Sequence, residues 1–181
     1  MESMVQQLLH STRLGVYFFV LVLALGFIVL KEAIRFIQGK RQEAKFRTFG
    51  IYDIDRLKSW VFEDYIANLV KRNGMKNVKH TSAVNDRGID VICMNRFGNR
   101  VGFCCLAHTD QIGCHAIQDA HNGQANYQLD QVIVVTNNYF TQSARHLADS
   151  LSVDLIDRDD LAETISEINE REFQEKKRRI I

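Results

Sequence analysis

Residues 86–109 read DRGIDVICMNRFGNRVGFCCLAHT, and their pattern is the strongest indication of the fold class. IDVICM predicts a strand, RVGFCCLAHT predicts a second one, and the turn between them lies at Arg96 to Asn99, around Gly98. Because side chains alternate along a strand, the second strand has two predicted faces. One face carries Val101, Phe103 and Cys105, and the other carries Gly102, Cys104, Leu106 and His108.

Upstream of this hairpin, a helix and a strand are predicted. DIDRLKSWVFEDYIANLVKRNGM (53–75) has the apolar spacing of a helix that begins at Asp53 or Asp55 and ends at Gly74. NVKHTSAV (77–84) then predicts a strand, which a turn at NDRG (85–88) joins to the hairpin. The predicted core face of the helix consists of Leu57, Trp60, Val61, Tyr65, Ile66, Leu69 and Val70.

Downstream, helices and strands alternate. A helix over 114–122 precedes QVIVVTN (131–137), a continuous β-branched run typical of a strand buried on both faces. YFTQSARHLADSL predicts a helix with Thr141 as its cap, VDLID a short strand, and residues 158–179 a closing helix. The order predicts an α/β sandwich with a central mixed sheet flanked by helices, antiparallel in its first half and joined by crossovers in its second.

The N-terminal part contains LGVYFFVLVLALGFIVL (14–30), an uncharged apolar run of ~26 Å as a helix. A buried core helix would show a polar face, and a signal peptide would end in small residues, so a single transmembrane helix is predicted. Positive charges follow the run at Lys31, Arg35, Lys40, Arg41, Lys45 and Arg47, whereas Arg13 alone precedes it. The positive-inside rule then predicts a single-pass membrane protein with its N-terminus outside and a cytoplasmic C-terminal domain.

Five segments follow from these patterns. They are an N-terminal segment (1–13), a transmembrane helix (14–30), a basic juxtamembrane connector (31–49), the α/β domain (50–170) and a charged C-terminal tail (171–181). Lys and Arg total 23 against 22 Asp and Glu, so overall charge does not indicate a polyanion-binding protein. The four cysteines indicate free thiols in a reducing compartment, and no CxxC pair supports a zinc site built from them with His108 and His115.

Several segments together resemble the Mrr-like restriction endonucleases of the PD-(D/E)xK nuclease superfamily. The resemblance runs from about Ile54 to Leu161. Its carriers are WVFEDYIANLVKRNGM (60–75), DRGIDVI (86–92), RVGF (100–103), IGCHAIQDA (112–120), VIVVTNNYFTQSARHLAD (132–149) and VDLIDRDDL (153–161). It implies a restriction-endonuclease-like fold and Mg²⁺-assisted phosphodiester hydrolysis, in which carboxylates hold the ion and a lysine assists the attacking water.

Carried over residue by residue, the resemblance implies Asp90 as the metal-binding carboxylate and Glu63 as an assisting acid. The family's Q/E-x-K motif falls on Cys104-Cys105-Leu106, so a thiol replaces the second ligand and an aliphatic side chain replaces the lysine. A thiol is a poor ligand for a hard cation. His108 is the possible substitute on the same strand face, with Lys79 or His80 on the neighbouring predicted strand as further candidates.

Three functions are compatible with this pattern. The first is a membrane-anchored, DNA-binding Mrr-type domain with impaired catalysis, which needs no cofactor. The second is an active Mg²⁺-dependent endonuclease with a rearranged site. The third is a non-enzymatic docking component that binds other proteins of a membrane complex. The resemblance also implies a possible homodimer.

Overall fold

A five-stranded mixed sheet forms the centre of the C-terminal part of the chain, with the strand order β1-β2-β3-β4-β5. The computed structural model describes residues 2–81 and 88–179, with side chains described at Tyr17 and from Val20 onward. The strands are β1 (Lys76–His80), β2 (Val91–Met94), β3 (Arg100–Leu106), β4 (Gln131–Thr136) and β5 (Asp154–Ile156). The helices are α1 (Glu2–Phe46), α2 (Ile51–Ile54), α3 (Ser59–Arg72), α4 (Cys114–Tyr127), α5 (Gln142–Leu151) and α6 (Arg158–Arg178).

The sheet changes direction at β3. Strands β1, β2 and β3 pair in antiparallel fashion, whereas β3, β4 and β5 are parallel and are joined through α4 and α5. The β2–β3 hairpin closes at Gly98, which has φ +92, and the Asn95 N–H donates to Asn99 O at 3.0 Å. The predicted mixed α/β sheet and its hairpin are therefore confirmed, while the turn predicted at 85–88 lies mostly outside the described residues.

The two faces of the sheet pack against different helices. One core contains Val101, Phe103 and Cys105 with the buried sides of α3 and α6. The other contains Cys104 and the buried residues of α4 and α5. The alternation predicted along β3 is confirmed, because neighbouring side chains of this strand enter different cores.

The helix predicted over 53–75 is divided into α2 and α3. Helix α3 begins at Ser59 rather than at Asp53 or Asp55, and its N-cap residue, Lys58, makes no side-chain capping hydrogen bond. Trp60 is predicted in the core, but 61% of it is exposed, whereas Phe62 is fully buried. The first turn of α3 thus directs its largest aromatic side chain to solvent.

Helix α1 corrects the membrane prediction. Within the described residues, no helix combines the length and the apolar character that crossing a bilayer requires. The apolar run of this helix ends at Leu30, and Lys31, Glu32 and Arg35 follow in the same helix. Charged side chains are costly in the hydrocarbon layer, which is about 30 Å thick. The predicted single-pass membrane location, with its transmembrane helix and its orientation, is therefore wrong, and the structure gives no support for the membrane as a partner.

Helix α6 is tied to the rest of the α/β domain by ion pairs at both ends. Near its start, Arg158 pairs with Asp55, and the hydrogen bond from Arg158 lowers the pKa of Asp55. Near its end, Glu172 accepts from Arg72 Nε at 2.9 Å, and this bond lowers the pKa of Glu172. The helix continues to Arg178, through the position where a separate charged tail is predicted to begin.

We expect acid to weaken the fold through these two carboxylates. Each has a lower pKa in the folded chain than in the unfolded chain, so its stabilising effect is complete above the ordinary carboxyl pKa of about 4. That effect is lost as the pH falls through the lowered folded value. The urea midpoint should therefore fall as pH decreases from about 5, and Glu172→Gln should reduce this dependence. If the urea midpoint of Glu172→Gln depends on pH as strongly as that of the native chain, Glu172 does not contribute to the acid sensitivity.

Candidate active site

Asp90 lies immediately before β2 and is held by contacts with both neighbouring strands. Its backbone N–H donates to Phe103 O at 2.8 Å, and its carbonyl accepts from Thr81 N–H at 3.0 Å. Its side chain also has a partner, because Oδ2 accepts from Cys105 N–H at 2.6 Å. The carboxylate is thus fixed against β3 at the level of the predicted Cys104-x-Leu106 motif.

A cavity of about 430 Å³ opens beside Asp90. The predicted site residues that line it are Asp90, Cys104, Leu106 and His108. Cys104 is buried, and Leu106 is half-buried. The structure therefore brings four of the five predicted residues to one place.

Glu63 is the exception. It is half-buried on α3, and it is not among the described residues that line the cavity. Helix α3 packs on the sheet face that carries Phe103 and Cys105, whereas Cys104 belongs to the opposite core. The assisting role of Glu63 therefore stays a prediction that the cavity geometry does not support.

Helix α4 contributes a pair of residues that the sequence interpretation missed. His115 Nδ1 and Asp119 Oδ2 are 2.8 Å apart, one helical turn from each other, and both line the cavity. Asp110, in the loop before α4, is a further missed carboxylate in the lining. The i, i+4 spacing of His115 and Asp119 was the available signal, but it does not reveal which strand the helix faces.

Gly88 sets the distance between Asp90 and α4. It has φ +76, and a Cβ built on it would lie 2.8 Å from the backbone carbonyl carbon of Asp119. A residue with a side chain cannot occupy this position without moving α4 or the start of β2. The close approach brings the Asp90 and Asp119 sides of the cavity together.

Comparison with known proteins identifies the family. Residues 54–165 match the Mrr catalytic-domain family, described as restriction endonuclease. The chain belongs to this family. No curated protein matches the chain significantly. Among solved structures, Can2 from Sulfobacillus thermosulfidooxidans, in complex with cyclic tetra-adenylate, matches with a TM-score of 0.47 and 17% identity. The match covers 61% of this chain and 36% of the Can2 chain.

Membership of the Mrr family implies a divalent metal ion, but the residues at the family positions do not fit Mg²⁺ well. Asp90 is a suitable hard ligand, whereas Cys104 offers a thiol, and Leu106 offers no polar atom. In the described part of the chain, no three His, Cys, Asp or Glu side chains are grouped closely enough to hold a metal ion. The described residues at these positions therefore do not form a fitting Mg²⁺ site.

The described lining of the cavity contains acidic side chains but no lysine or arginine. Within residues 2–81 and 88–179, no Lys or Arg lines the cavity, whereas Asp90, Asp110 and Asp119 all do. Neither Lys79 nor His80, the further candidates on β1, is in the described lining, and His80 Nε2 lies 3.3 Å from Asp64. The described lining is thus acidic, whereas phosphodiester hydrolysis needs positive charge near the scissile phosphate.

The cysteines are distributed over both sides of the sheet. Cys93 and Cys105 belong to the core beside α3, and Cys104 belongs to the core beside α4. None of the four cysteines forms a disulfide. A zinc site that combines them would need ligands from opposite faces of β3, which the strand alternation separates.

Proposed function

We propose that this Mrr-family domain binds DNA and that its phosphodiester hydrolysis is impaired. The observation that carries the proposal is the lining of the Asp90 cavity, which includes Cys104 and Leu106, the two residues that the family resemblance aligns with the second metal ligand and the lysine. Leu106 offers no ammonium group to stabilise the charge that develops on the scissile phosphate. Losing one such group typically costs a factor of about 10² to 10³ in rate.

The family membership supports DNA binding, and the acidic cavity indicates that phosphates are contacted elsewhere. Lys76 and Lys79 on β1 and Arg96 in the hairpin are exposed and offer such contacts. Each phosphate that a lysine or arginine neutralises releases counterions, so binding should weaken steeply with salt.

The competing proposal is an active endonuclease with a rearranged site. It is favoured by His108 and His115, whose imidazoles line the cavity with Asp90 and belong to the side-chain type most often used in general acid–base catalysis. The docking function drew its support from a membrane tether, and that support is removed with the tether.

One assay with the full chain distinguishes these proposals. Supercoiled plasmid is incubated with the protein and Mg²⁺ or Mn²⁺, and binding of a labelled duplex is measured from low to high salt. We expect salt-sensitive binding, no cleavage above the buffer control, and the same result for Asp90→Asn, which keeps an oxygen for the Cys105 N–H. Cleavage that Asp90→Asn abolishes would establish the rearranged site. Absence of binding at low salt would overturn the proposed DNA-binding function.

A further inference from the structure

The wall of the Asp90 cavity that leads into α4 is the loop after β3, residues 107–113, and it is held by the chain that follows β4. The backbone N–H of His108 donates to Asn137 Oδ1 at 2.9 Å, and Asn138 Nδ2 donates to Thr109 O at 2.8 Å. At the far end of the loop, Ile112 N–H donates to Tyr139 O at 2.9 Å. Both His108 and Ile112 line the cavity.

Asn137 is itself held from its other side. It is 8% exposed, and its backbone carbonyl accepts from Arg158 Nη1 at 2.9 Å. Its side-chain Nδ2 donates to Asp55 Oδ1 at 3.4 Å. Arg158 in turn binds both oxygens of Asp55, with Nη2 2.8 Å from Oδ2.

These contacts fix which way the Asn137 amide points. An amide has a donor end and an acceptor end. The Asp55 carboxylate can only accept, so the Nδ2 end faces it, and the Oδ1 end remains for the His108 N–H. Reversing the amide would place two acceptors together and two donors together, and would break both bonds.

We infer that Asn137 and Arg158 are positioning residues that set the wall of the Asp90 cavity, although neither of them lines it. Arg158 holds Asp55, Asp55 orients the Asn137 amide, and the amide fixes the loop at His108. Any ligand that enters the cavity meets this loop, so the two residues govern the shape of the site from outside. The inference does not depend on whether the domain binds or cuts DNA.

Amide hydrogen exchange in the full chain tests this inference. Asn137→Ala removes the acceptor for the His108 N–H, and a lost hydrogen bond of ordinary strength corresponds to roughly tenfold faster exchange. We expect this increase in exchange rate at His108 and elsewhere in 107–113. It should exceed any increase at the core amides of α3, which report on global stability. Arg158→Ala should act in the same direction, and it carries the test if Asn137→Ala does not fold.

Arg72→Ala is the matched control. It removes another Arg–carboxylate pair of α6, with Glu172, about 21 Å along the helix from Arg158. Arg72→Ala should accelerate amide exchange only as far as it lowers the global free energy of unfolding. It should cause no additional acceleration in the loop 107–113. The inference is overturned if Asn137→Ala and Arg158→Ala accelerate loop exchange only by the factor measured in α3. It is overturned equally if Arg72→Ala produces the same loop-specific increase.

Discussion

A chain that carries Cys104→Gln together with Leu106→Lys is expected to cut plasmid DNA at least about 100-fold faster than the native chain. Both positions line the Asp90 cavity, and their two-residue spacing places them on the same face of β3. The new glutamine supplies an oxygen ligand beside Asp90. The new lysine supplies an ammonium group, and because Leu106 is only half-buried, its longer side chain has room to reach the cavity. The measurement is nicking of supercoiled plasmid in Mg²⁺.

Two controls separate restored catalysis from contamination or a change in DNA binding. Asp90→Asn in the double variant should return cutting to the native level, because it removes the charged ligand while keeping the hydrogen bond to Cys105. Cys104→Gln with Leu106→Met has nearly the same volume but no cation, and it should remain inactive. A folded double variant that shows no Asp90-dependent cutting would refute the claim that these two positions limit catalysis.

The sequence predicts the centre of this site because strand periodicity determines it. Alternation along β3 separates Cys104 from Cys105, and the hairpin at Gly98 fixes the register that places Asp90 opposite them. These relations are local, spanning fewer than about 20 residues, and they depend on backbone geometry that varies little between proteins. The segments that resemble the Mrr family then show which groups the site lacks, namely the family's Gln or Glu at Cys104 and its Lys at Leu106.

The parts that the sequence does not predict depend on how helices pack. Trp60 and Val61 both fit the apolar spacing of α3, but only the position of the helix on the sheet shows that Trp60 is largely exposed. For the same reason, His115 and Asp119 are indistinguishable from surface residues until α4 is seen to border the cavity. Glu63 lies on the helix that packs against the opposite face, so its family role cannot be inferred from its motif alone.

The membrane prediction is wrong for a different reason. The prediction takes the apolar residues 14–30 as a separate transmembrane helix. It assigns the charged residues directly after Leu30 to a flanking connector. Helix α1 continues through these residues without a break to Phe46. The apolar run is thus part of one helix that also carries Lys31, Glu32 and Arg35, and within the described residues no helix is long and apolar enough to cross a bilayer.

Gly88→Ala is expected to destabilise the domain by about 3 kcal/mol, a large part of the stability of an ordinary domain. Two effects combine at this position. A side chain at φ +76 costs roughly 1–2 kcal/mol. Its Cβ would also lie 2.8 Å from the Asp119 backbone, and this overlap costs roughly a further 1–3 kcal/mol because backbone on a packed helix cannot turn aside. Urea unfolding of the full chain measures the sum.

Gly98→Ala separates the two effects. Gly98 has φ +92, similar to that of Gly88, but in the described part of the chain nothing beyond its own neighbours lies within 4 Å of the point that a Cβ would occupy. Its substitution should therefore cost only the conformational part, roughly 1–2 kcal/mol. The difference between the two losses in free energy of unfolding measures how closely α4 approaches the start of β2. If both variants lose the same free energy of unfolding, α4 lies further from Gly88 than described. The volume of the cavity between Asp90 and Asp119 would then exceed 430 Å³.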